Sequence, residues 1–353
     1  MQSIRYPEIE VSGTAREMGQ QIGEAAREHV RGFCEVALER VRQTVDVSGS
    51  RARAIAAESL VFAEAYRPDF VDELRGIAES AGVSLDALML LQIRNQLQDD
   101  HDVGCTSLGV QTTVSGRRQS LLAQNWDSDP ALDPFTIVLT RRPNDRPAIL
   151  NVTQAGLIAY VGVDSLGVGA CLNTLPAPSR SVGVPHYFTL REIYETGTLT
   201  GAVHAVDRAQ RAIPANILLA TPDGPADLEV TIDAVHVLRP AGCEPVTHTN
   251  HCRHQELLSI NDAFPDLIDS RFRQCRIDAL VQSVGETLTF DDICSFLSDH
   301  EQYPRSICRH ENDDPACGFW KTVFSVIIQP EALKMHVTRG NPCEQPYETY
   351  ALN

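Results

Sequence analysis

The sequence predicts an α+β domain built from layers of helices and antiparallel sheet. Three observations support this prediction: the first hundred residues carry helical periodicity, the residues after Asp102 form short β-rich runs separated by turns, and helical patterns return later in blocks. Strands and helices in separate blocks are typical of layered α+β folds, whereas a doubly wound fold alternates them strictly. No dinucleotide site is expected, because Gly162, Gly167 and Gly169 lack the GxGxxG spacing.

The N-terminal helices are predicted from apolar residues that recur three or four positions apart. Met18 to Val41 shows this spacing and predicts one amphipathic helix, and a second helical run covers Arg51 to Tyr66. Pro68 separates that run from a third helix, which Gly82 should end. Ser84 is a suitable N-cap for a fourth helix.

The rest of the chain is predicted to consist mainly of strands, with two pairs of helices among them. The predicted strands are residues 106–114, 120–126, 135–141, 149–153, 157–163, 168–172, 217–220, 228–232, 235–238, 322–328 and 333–338. The later helical patterns cover residues 187–195, 202–212, 271–284 and 290–297. Turn residues between neighbouring strands, such as Ser115-Gly116 and Gln329-Pro330-Glu331, indicate hairpins and a large antiparallel sheet system.

Composition narrows the classes of function. The chain has 353 residues, of which 43% are apolar and 22% charged, and it is long enough for one large core or two ordinary domains. A formal net charge of −17 repels phosphate backbones and anionic lipid, so neither a nucleic acid nor a membrane is expected as a partner. Without an apolar stretch near the roughly 20 residues that cross a bilayer, and with an acidic N-terminal region, a cytoplasmic protein is expected. The ten cysteines include no CxxC pair and do not indicate a disulfide scaffold.

Five short motifs follow one another in the order typical of a known family. They are Gly104-Cys105-Thr106-Ser107, Gln124-Asn125-Trp126-Asp127, Cys171-Leu172-Asn173, Thr249-Asn250-His251 and Ser306-Ile307-Cys308-Arg309-His310. With the helical segment before them, they make the chain resemble the acyl-coenzyme A:6-aminopenicillanic acid acyltransferase family, within the N-terminal-nucleophile hydrolases. The resemblance implies a four-layer αββα fold with an N-terminal helical segment. Residues 1–104 would then form a helical pro-segment or small subunit, and residues 105–353 the large subunit of one integrated domain.

The resemblance also implies that autocatalytic cleavage between Gly104 and Cys105 creates the catalytic nucleophile. The cut would leave Cys105 with a free α-amine beside its thiol, and since these groups titrate near pH 8 and pH 8.5, the amine can serve as the base for the thiol. Gly104 lacks a Cβ and so lets the thiol approach the preceding carbonyl. A buried cysteine is most often a small apolar residue, but the position of Cys105 at a layer boundary favours the nucleophile.

Four further site residues follow from the same resemblance. Asp127 corresponds to the carboxylate that orients the α-amine, Asn250 to the oxyanion asparagine, and Asn173 to a second polar position that faces the nucleophile. Arg309 corresponds to the arginine that supports this centre, either by pairing with Asp127 or by lowering the pKa of the thiol. The alternatives are turn hydrogen bonds for the aspartate and asparagines and an ordinary salt bridge for the arginine.

The predicted activity is hydrolysis or transfer of the acyl group of a small N-acyl substrate through a Cys105 thioester. No cofactor is expected, acyl-CoA stays open as a co-substrate, and the two fragments of the precursor are expected to be partners, with homo-oligomers left open. One alternative is an unprocessed binding or scaffolding homologue without activity. Another is a metal-dependent hydrolase, but the loose spacing of the candidate ligands predicts no metal site. Those candidates are His248, His251, Cys252, His254, Cys308 and His310.

Overall fold

The computed structural model describes residues 4–43, 45–97, 104–114, 117–239, 244–264, 270–285, 288–315 and 318–353. The N-terminal segment contains a strand followed by five helices. They are β1 (Glu8–Gly13), α1 (Ala15–Ala25), α2 (Arg27–Val41), α3 (Gly49–Tyr66), α4 (Pro68–Ala81) and α5 (Leu85–Ile93). Four later helices follow among the described residues. They are α6 (His186–Ile193), α7 (Leu199–Asp207), α8 (Ser270–Val284) and α9 (Phe290–Leu297).

The strands after the N-terminal segment alternate with turns along most of the chain. They are β2 (Gly104–Val114), β3 (Arg117–Ser128), β4 (Thr136–Pro143), β5 (Ile149–Gln154), β6 (Val161–Asp164), β7 (Gly169–Asn173), β8 (Ala215–Thr221), β9 (Gly224–Val230), β10 (Val235–Leu238), β11 (Val246–His248), β12 (Lys321–Gln329), β13 (Lys334–Arg339) and β14 (Glu348–Ala351). They form an eight-stranded sheet in the order β1-β4-β5-β6-β7-β8-β9-β10 and a six-stranded sheet in the order β11-β2-β3-β12-β13-β14. Strand β1 runs parallel to β4, and the other described pairs are antiparallel.

The two sheets pack face to face, and helices cover both. Strands β2 and β3 of the six-stranded sheet lie against β7, β8 and β9 of the other sheet. Helices α8 and α9 contact β2, β3 and β11, whereas α1 and α7 contact the eight-stranded sheet. The arrangement is helix, sheet, sheet, helix, so the predicted four-layer αββα fold is confirmed.

Most predicted elements are present with small shifts at their ends. Gly82 ends α4 in the left-handed conformation, with φ of 70°, and the Ser84 hydroxyl accepts the backbone N–H of Ala87 at 3.1 Å as an N-cap. The proposed Ser115-Gly116 turn lies outside the described residues. None of the described helices is both long enough and apolar enough to cross a membrane.

Two predictions about the N-terminal segment are wrong. The predicted helix from Met18 to Val41 is two helices, which meet at Ala26, where φ is −108° and ψ is 22°. Because Ala26 and Val30 are both fully buried, the apolar spacing continues through the break and does not reveal it. The segment is also not entirely helical, since β1 precedes α1 and pairs with β4.

The predicted strand from Leu157 to Val163 begins only at Val161.

Candidate active site

Cys105 lies near the start of β2, buried between the two sheets. Its neighbour across the ladder is Trp126 of β3, and the cysteine belongs to the same apolar core cluster as that indole. Trp126 packs with Tyr160 and Phe324 at ring-centroid distances of 5.6 Å and 4.9 Å. Strand alternation predicts that Trp126 enters the core, and this is confirmed. The thiol is therefore fixed in an apolar surrounding that excludes water.

The backbone of Cys105 is bonded on both sides to polar side chains. Its N–H donates to Asn250 Oδ1 at 2.9 Å, and its carbonyl oxygen accepts from an Arg273 N–H. Arg273 also donates to Asn250 Oδ1 at 2.8 Å and to Thr106 Oγ1 at 3.0 Å. Asn250 thus holds the nitrogen that becomes the α-amine if the chain is cut before Cys105, and Arg273 holds the carbonyl of the same residue.

Burial raises the pKa of the Cys105 thiol well above its usual range in the uncut chain. The Asp127 carboxylate raises it further, while Arg273 and backbone hydrogen bonds of Asp127 and Thr174 oppose the rise. The thiolate is the nucleophilic form of cysteine, so the buried thiol of the uncut chain is in its unreactive form at neutral pH. A base that accepts the thiol proton is therefore required for this cysteine to react.

Asp127 is fully buried and lies opposite Gly104 in the ladder between β2 and β3. Its Oδ1 accepts the Thr322 hydroxyl at 2.7 Å, whereas its Oδ2 accepts no hydrogen bond from the described residues. Burial raises the pKa of this carboxyl to about 6, against the opposing effects of Arg273, Thr322 and Arg309. A cation placed beside Oδ2 would remove the cost of this buried, half-bonded charge.

Asn250 is oriented by hydrogen bonds of its side-chain amide and of its backbone N–H. Its Nδ2 donates to the Thr174 carbonyl at 2.9 Å, and its backbone N–H donates to Ser270 Oγ at 2.7 Å. The side-chain amide has a second Nδ2–H, which is the donor that could reach a substrate oxygen.

The buried residues His248 and Glu229 hold the turn that carries Asn250 in place. His248 Nε2 lies 2.8 Å from Glu229 Oε1, and the Glu229 carboxylate also accepts the backbone N–H groups of Arg253 and His254. Burial opposes protonation of His248, but Asp227 and Glu229 raise its pKa above the usual value. These bonds fix both ends of the segment from His248 to His254, and Asn250 lies within it.

Asn173 lies at the end of β7 between the two sheets, with its amide bonded on both sides. Its Oδ1 accepts the Ser107 hydroxyl at 2.7 Å and Gln124 Nε2 at 2.5 Å. Its Nδ2 lies 3.1 Å from the Thr249 carbonyl and 3.4 Å from that of His248. Asn173 therefore joins the strand of Cys105 to the segment of Asn250.

Arg309 lies on the side of Asp127 away from the thiol-bearing strand. Its backbone N–H donates to Thr322 Oγ1 at 3.0 Å, and its Nε donates to the Trp320 carbonyl at 3.3 Å. The charge of Arg309 lowers the pKa of Asp127, whereas the main influences on the pKa of the thiol are burial, Asp127 and Arg273. Of its two predicted effects, the structure favours the one on Asp127.

Arg273 is the site residue that the sequence analysis missed. It is fully buried on α8, and its guanidinium bonds Cys105, Thr106 and Asn250. It lies in a helix rich in charged residues, and no short motif marks it. A buried arginine facing the inside of the molecule could have been suspected only by placing α8 over the start of β2, which the sequence does not indicate.

The six residues considered as metal ligands do not form one site. Among the described residues, the groups of nearby His, Cys, Asp and Glu side chains are Asp227, Glu229 and His248; His236, His254 and Glu256; and His300, Cys308, His310 and Cys343. His251 Nδ1 instead lies 2.7 Å from Ser270 Oγ. None of these groups includes Cys105.

Comparisons with known proteins agree on one family. The family model described as acyl-coenzyme A:6-aminopenicillanic acid acyl-transferase matches residues 114–344. The 40 kDa form of acyl-coenzyme A:6-aminopenicillanic-acid-acyltransferase from Emericella nidulans is 26% identical over 350 residues, which cover 98% of this chain and 95% of that protein.

Two solved structures are also similar. A point mutant of conjugated bile acid hydrolase from Clostridium perfringens has a TM-score of 0.43 at 9% identity and covers 70% of this chain and 97% of its own. Penicillin V acylase from Agrobacterium tumefaciens has a TM-score of 0.41 at 10% identity, with 65% and 82% covered.

Proposed function

The chain belongs to the acyl-coenzyme A:6-aminopenicillanic acid acyl-transferase family, and we propose that it is an amidohydrolase or acyltransferase whose nucleophile is the Cys105 thiol. The observation that carries this proposal is the surrounding of the Cys105 nitrogen. That nitrogen lies 2.9 Å from Asn250 Oδ1, and the neighbouring residue Gly104 is paired with Asp127, whose second oxygen is buried without a partner among the described residues.

The first proposed reaction is cleavage of the chain before Cys105. The Cys105 sulfur attacks the Gly104 carbonyl carbon, the peptide C–N bond breaks, and the thiol proton ends on the released α-amine. Water then hydrolyses the resulting thioester and separates residues 1–104 from residues 105–353. Asp127 is the proposed proton acceptor, since its pKa of about 6 leaves it mainly ionised at neutral pH.

In the matured protein, the α-amine of Cys105 would act as the base for its own thiol. As an ammonium group it would sit between Asn250 Oδ1 and the free oxygen of Asp127. Its positive charge would also favour the thiolate, which the uncut chain disfavours. Cleavage therefore supplies an amine base on the nucleophile itself and adds a positive charge to that of Arg273.

The catalytic cycle uses the same groups. The thiolate attacks the carbonyl of an N-acyl substrate, the C–N bond breaks, and the α-ammonium gives its proton to the leaving amine. The free Nδ2–H of Asn250 is the proposed donor to the oxyanion, and loss of such a donor costs about 3 kcal/mol or more in transition-state stabilisation. Arg273 orients Asn250 and is proposed as a positioning residue.

The acceptor decides between hydrolysis and acyl transfer. Water releases the acid from the thioester, and a second amine gives a new amide. The proposed substrate is a small N-acyl compound, and acyl-CoA is retained as an alternative acyl donor because the curated relative is described as an acyl-coenzyme A acyltransferase.

The experiment is an intact-mass measurement of the purified full chain combined with assays of N-acyl substrates, with and without acyl-CoA. Cleavage between Gly104 and Cys105 is expected, as is activity that Cys105→Ala abolishes together with cleavage. Cys171→Ala is the matched control, because Cys171 is also fully buried in the same core cluster. Cys171→Ala should leave both the cleavage and the activity intact.

Two outcomes would contradict the proposal. An uncut chain with full activity would mean that the α-amine is not the base. An uncut, folded and inactive wild-type chain would favour the alternative of a scaffolding homologue.

A further inference from the structure

A second group of reactive side chains lies apart from Cys105. His300 follows α9, Cys308 and His310 precede β12, and Cys343 follows β13. Each offers one ligand atom, and these four atoms lie within 4.8 Å of one another. We refer to these four residues as the Cys2His2 cluster.

The distances within the Cys2His2 cluster fit a tetrahedral ion. The Sγ atoms of Cys308 and Cys343 are 3.6 Å apart, and the Nε2 atoms of His300 and His310 are 3.0 Å apart. His310 Nε2 lies 3.7 Å from Cys308 Sγ and 3.4 Å from Cys343 Sγ. Zinc bond lengths imply tetrahedral edges of about 3.8 Å for two sulfurs, about 3.3 Å for two nitrogens and about 3.6 Å for a mixed pair. These four edges lie within about 0.3 Å of the values for a zinc ion, and the two remaining edges, from His300 Nε2 to the sulfurs, are within 4.8 Å.

The surroundings of the cluster are also those of a metal site. His310 directs Nε2 to the cluster, and its Nδ1 lies 3.8 Å from the Glu344 carboxylate. Asn341 Nδ2 donates to Cys308 Sγ at 3.4 Å. Carboxylate partners of ligand histidines and hydrogen bonds to ligand sulfurs are common outer contacts of metal sites. Cys308 is buried, whereas His300 and Cys343 are exposed, so an ion can enter from solvent.

We propose that His300, Cys308, His310 and Cys343 bind one zinc ion in a closed tetrahedral site. Four protein ligands leave no open coordination position, so the ion would be structural and would not activate water. The sequence predicts no metal site, because the candidate ligands are loosely spaced, and His300 and Cys343 are not among those candidates. His300 and Cys343 are brought to Cys308 and His310 only by the fold, in which α9 contacts β3 and β13 pairs with β12.

Two successive hydrogen bonds connect the Cys2His2 cluster to Asp127. In the sequence, Arg309 lies between the ligands Cys308 and His310. Its backbone N–H donates to Thr322 Oγ1, which in turn donates to Asp127 Oδ1. Asn341, which contacts Cys308, also donates to the Arg309 carbonyl at 2.7 Å. An ion that fixes Cys308 and His310 would therefore fix the support of the Asp127 carboxylate.

The test is the metal content of the full chain, purified without chelators after growth with zinc. Mass spectrometry should find about one zinc per chain, and cobalt reconstitution should give thiolate-to-cobalt charge-transfer bands with tetrahedral d–d absorption. Cys343→Ser and His300→Ala should each lower the retained zinc at least about tenfold. Both change exposed positions, and circular dichroism checks that the variants fold.

The matched controls are Cys275→Ser and His204→Ala, which also change an exposed cysteine and an exposed histidine. Both should keep the full zinc content. The proposal is overturned if the wild-type chain holds no zinc and gives no cobalt spectrum, or if both cluster variants keep all their zinc. A Cys308–Cys343 disulfide found by alkylation and mass analysis in the metal-free wild-type chain would also overturn it, since the short sulfur–sulfur distance would then reflect oxidation.

Discussion

At the scale of single residues, the Asp127 carboxylate carries an electrostatic cost in the uncut chain. It is fully buried, one oxygen has no partner among the described residues, and its pKa is raised from 3.8 to about 6. A carboxyl whose pKa is higher in the folded state stabilises the fold at pH below its unfolded pKa. That contribution is lost as the pH rises through the folded pKa.

We therefore expect the stability of the uncut chain to fall between about pH 4 and pH 7 in part because of Asp127. Two pKa units correspond to on the order of 3 kcal/mol in the free energy of unfolding. Urea unfolding of Cys105→Ala, which should stay uncut, measures this loss, and Asp127→Asn in the same background should remove the part that Asp127 causes.

The control for this measurement is Asp145→Asn, which changes an exposed carboxylate in the turn between β4 and β5. It should leave the pH dependence unchanged. If Asp127→Asn gives a stability curve parallel to that of its parent, the carboxyl does not bear the proposed cost.

Some of the candidate residues can be predicted from the sequence, whereas others come together only in the folded chain. Asp127 and Asn250 can be proposed from sequence because each lies in a short motif at the end of a strand. Arg273 cannot, because its role depends on the pairing of β11 with β2, which brings α8 over the start of β2. His300 and Cys343 are similar cases, since 42 positions separate them.

At the scale of elements, the pair α1 and α4 depends on three glycines. A Cβ on Gly19 would lie 2.0 Å from the Glu73 carbonyl oxygen, and one on Gly76 would lie 2.4 Å from the Arg16 carbonyl oxygen. Gly23 similarly faces the Ile77 carbonyl oxygen at 2.5 Å. These neighbours are backbone atoms, so a side chain could be accommodated only by moving one helix away from the other.

Gly19→Ala is therefore expected to destabilise the protein, although alanine favours a helix more than glycine. The displacement should cost about 1–3 kcal/mol or more in the free energy of unfolding, as for other overpacked cores. Urea denaturation measures the loss. Gly49→Ala is the control, since a Cβ there meets only arginine side-chain ends at 3.3 Å and 3.4 Å, and its stability should stay the same or rise slightly. Equal stability of the two variants would show that α1 and α4 can separate without cost.

The same glycines show why the N-terminal elements were only partly predictable. Apolar periodicity gives the buried face of each helix, but it gives neither the close approach of two backbones nor the break between α1 and α2. Strand β1 is short, its polar–apolar alternation covers only Glu8 to Val11, and only Val11 in it is buried. Strand β1 pairs with β4, which lies more than a hundred residues away in the sequence.

At the scale of the whole molecule, the bond before Cys105 divides a chain whose two parts share one core. Strand β1 supplies an edge of the eight-stranded sheet, and Tyr6 Oη donates to Asp133 Oδ1 at 2.8 Å. The buried Glu73 of α4 accepts Arg141 Nε of β4 at 2.8 Å and lies 3.7 Å from Arg191 of α6. Residues on both sides of the proposed cut thus contribute to the eight-stranded sheet and to the buried ion pairs of Glu73.

After cleavage, we expect residues 1–104 to stay bound to residues 105–353. Matured protein should elute from a sizing column as one species that contains both fragments, and the fragments should separate only in denaturant. Glu73→Gln should lower the denaturant concentration at which they separate, because removing one partner of a buried ion pair costs about 3–5 kcal/mol. Glu79→Gln is the control, since Glu79 pairs with Arg16 at the surface and its loss should change little. Fragments that elute separately in the absence of denaturant would mean that the shared sheet and the Glu73 ion pairs do not survive the cut, and that residues 1–104 act only before maturation.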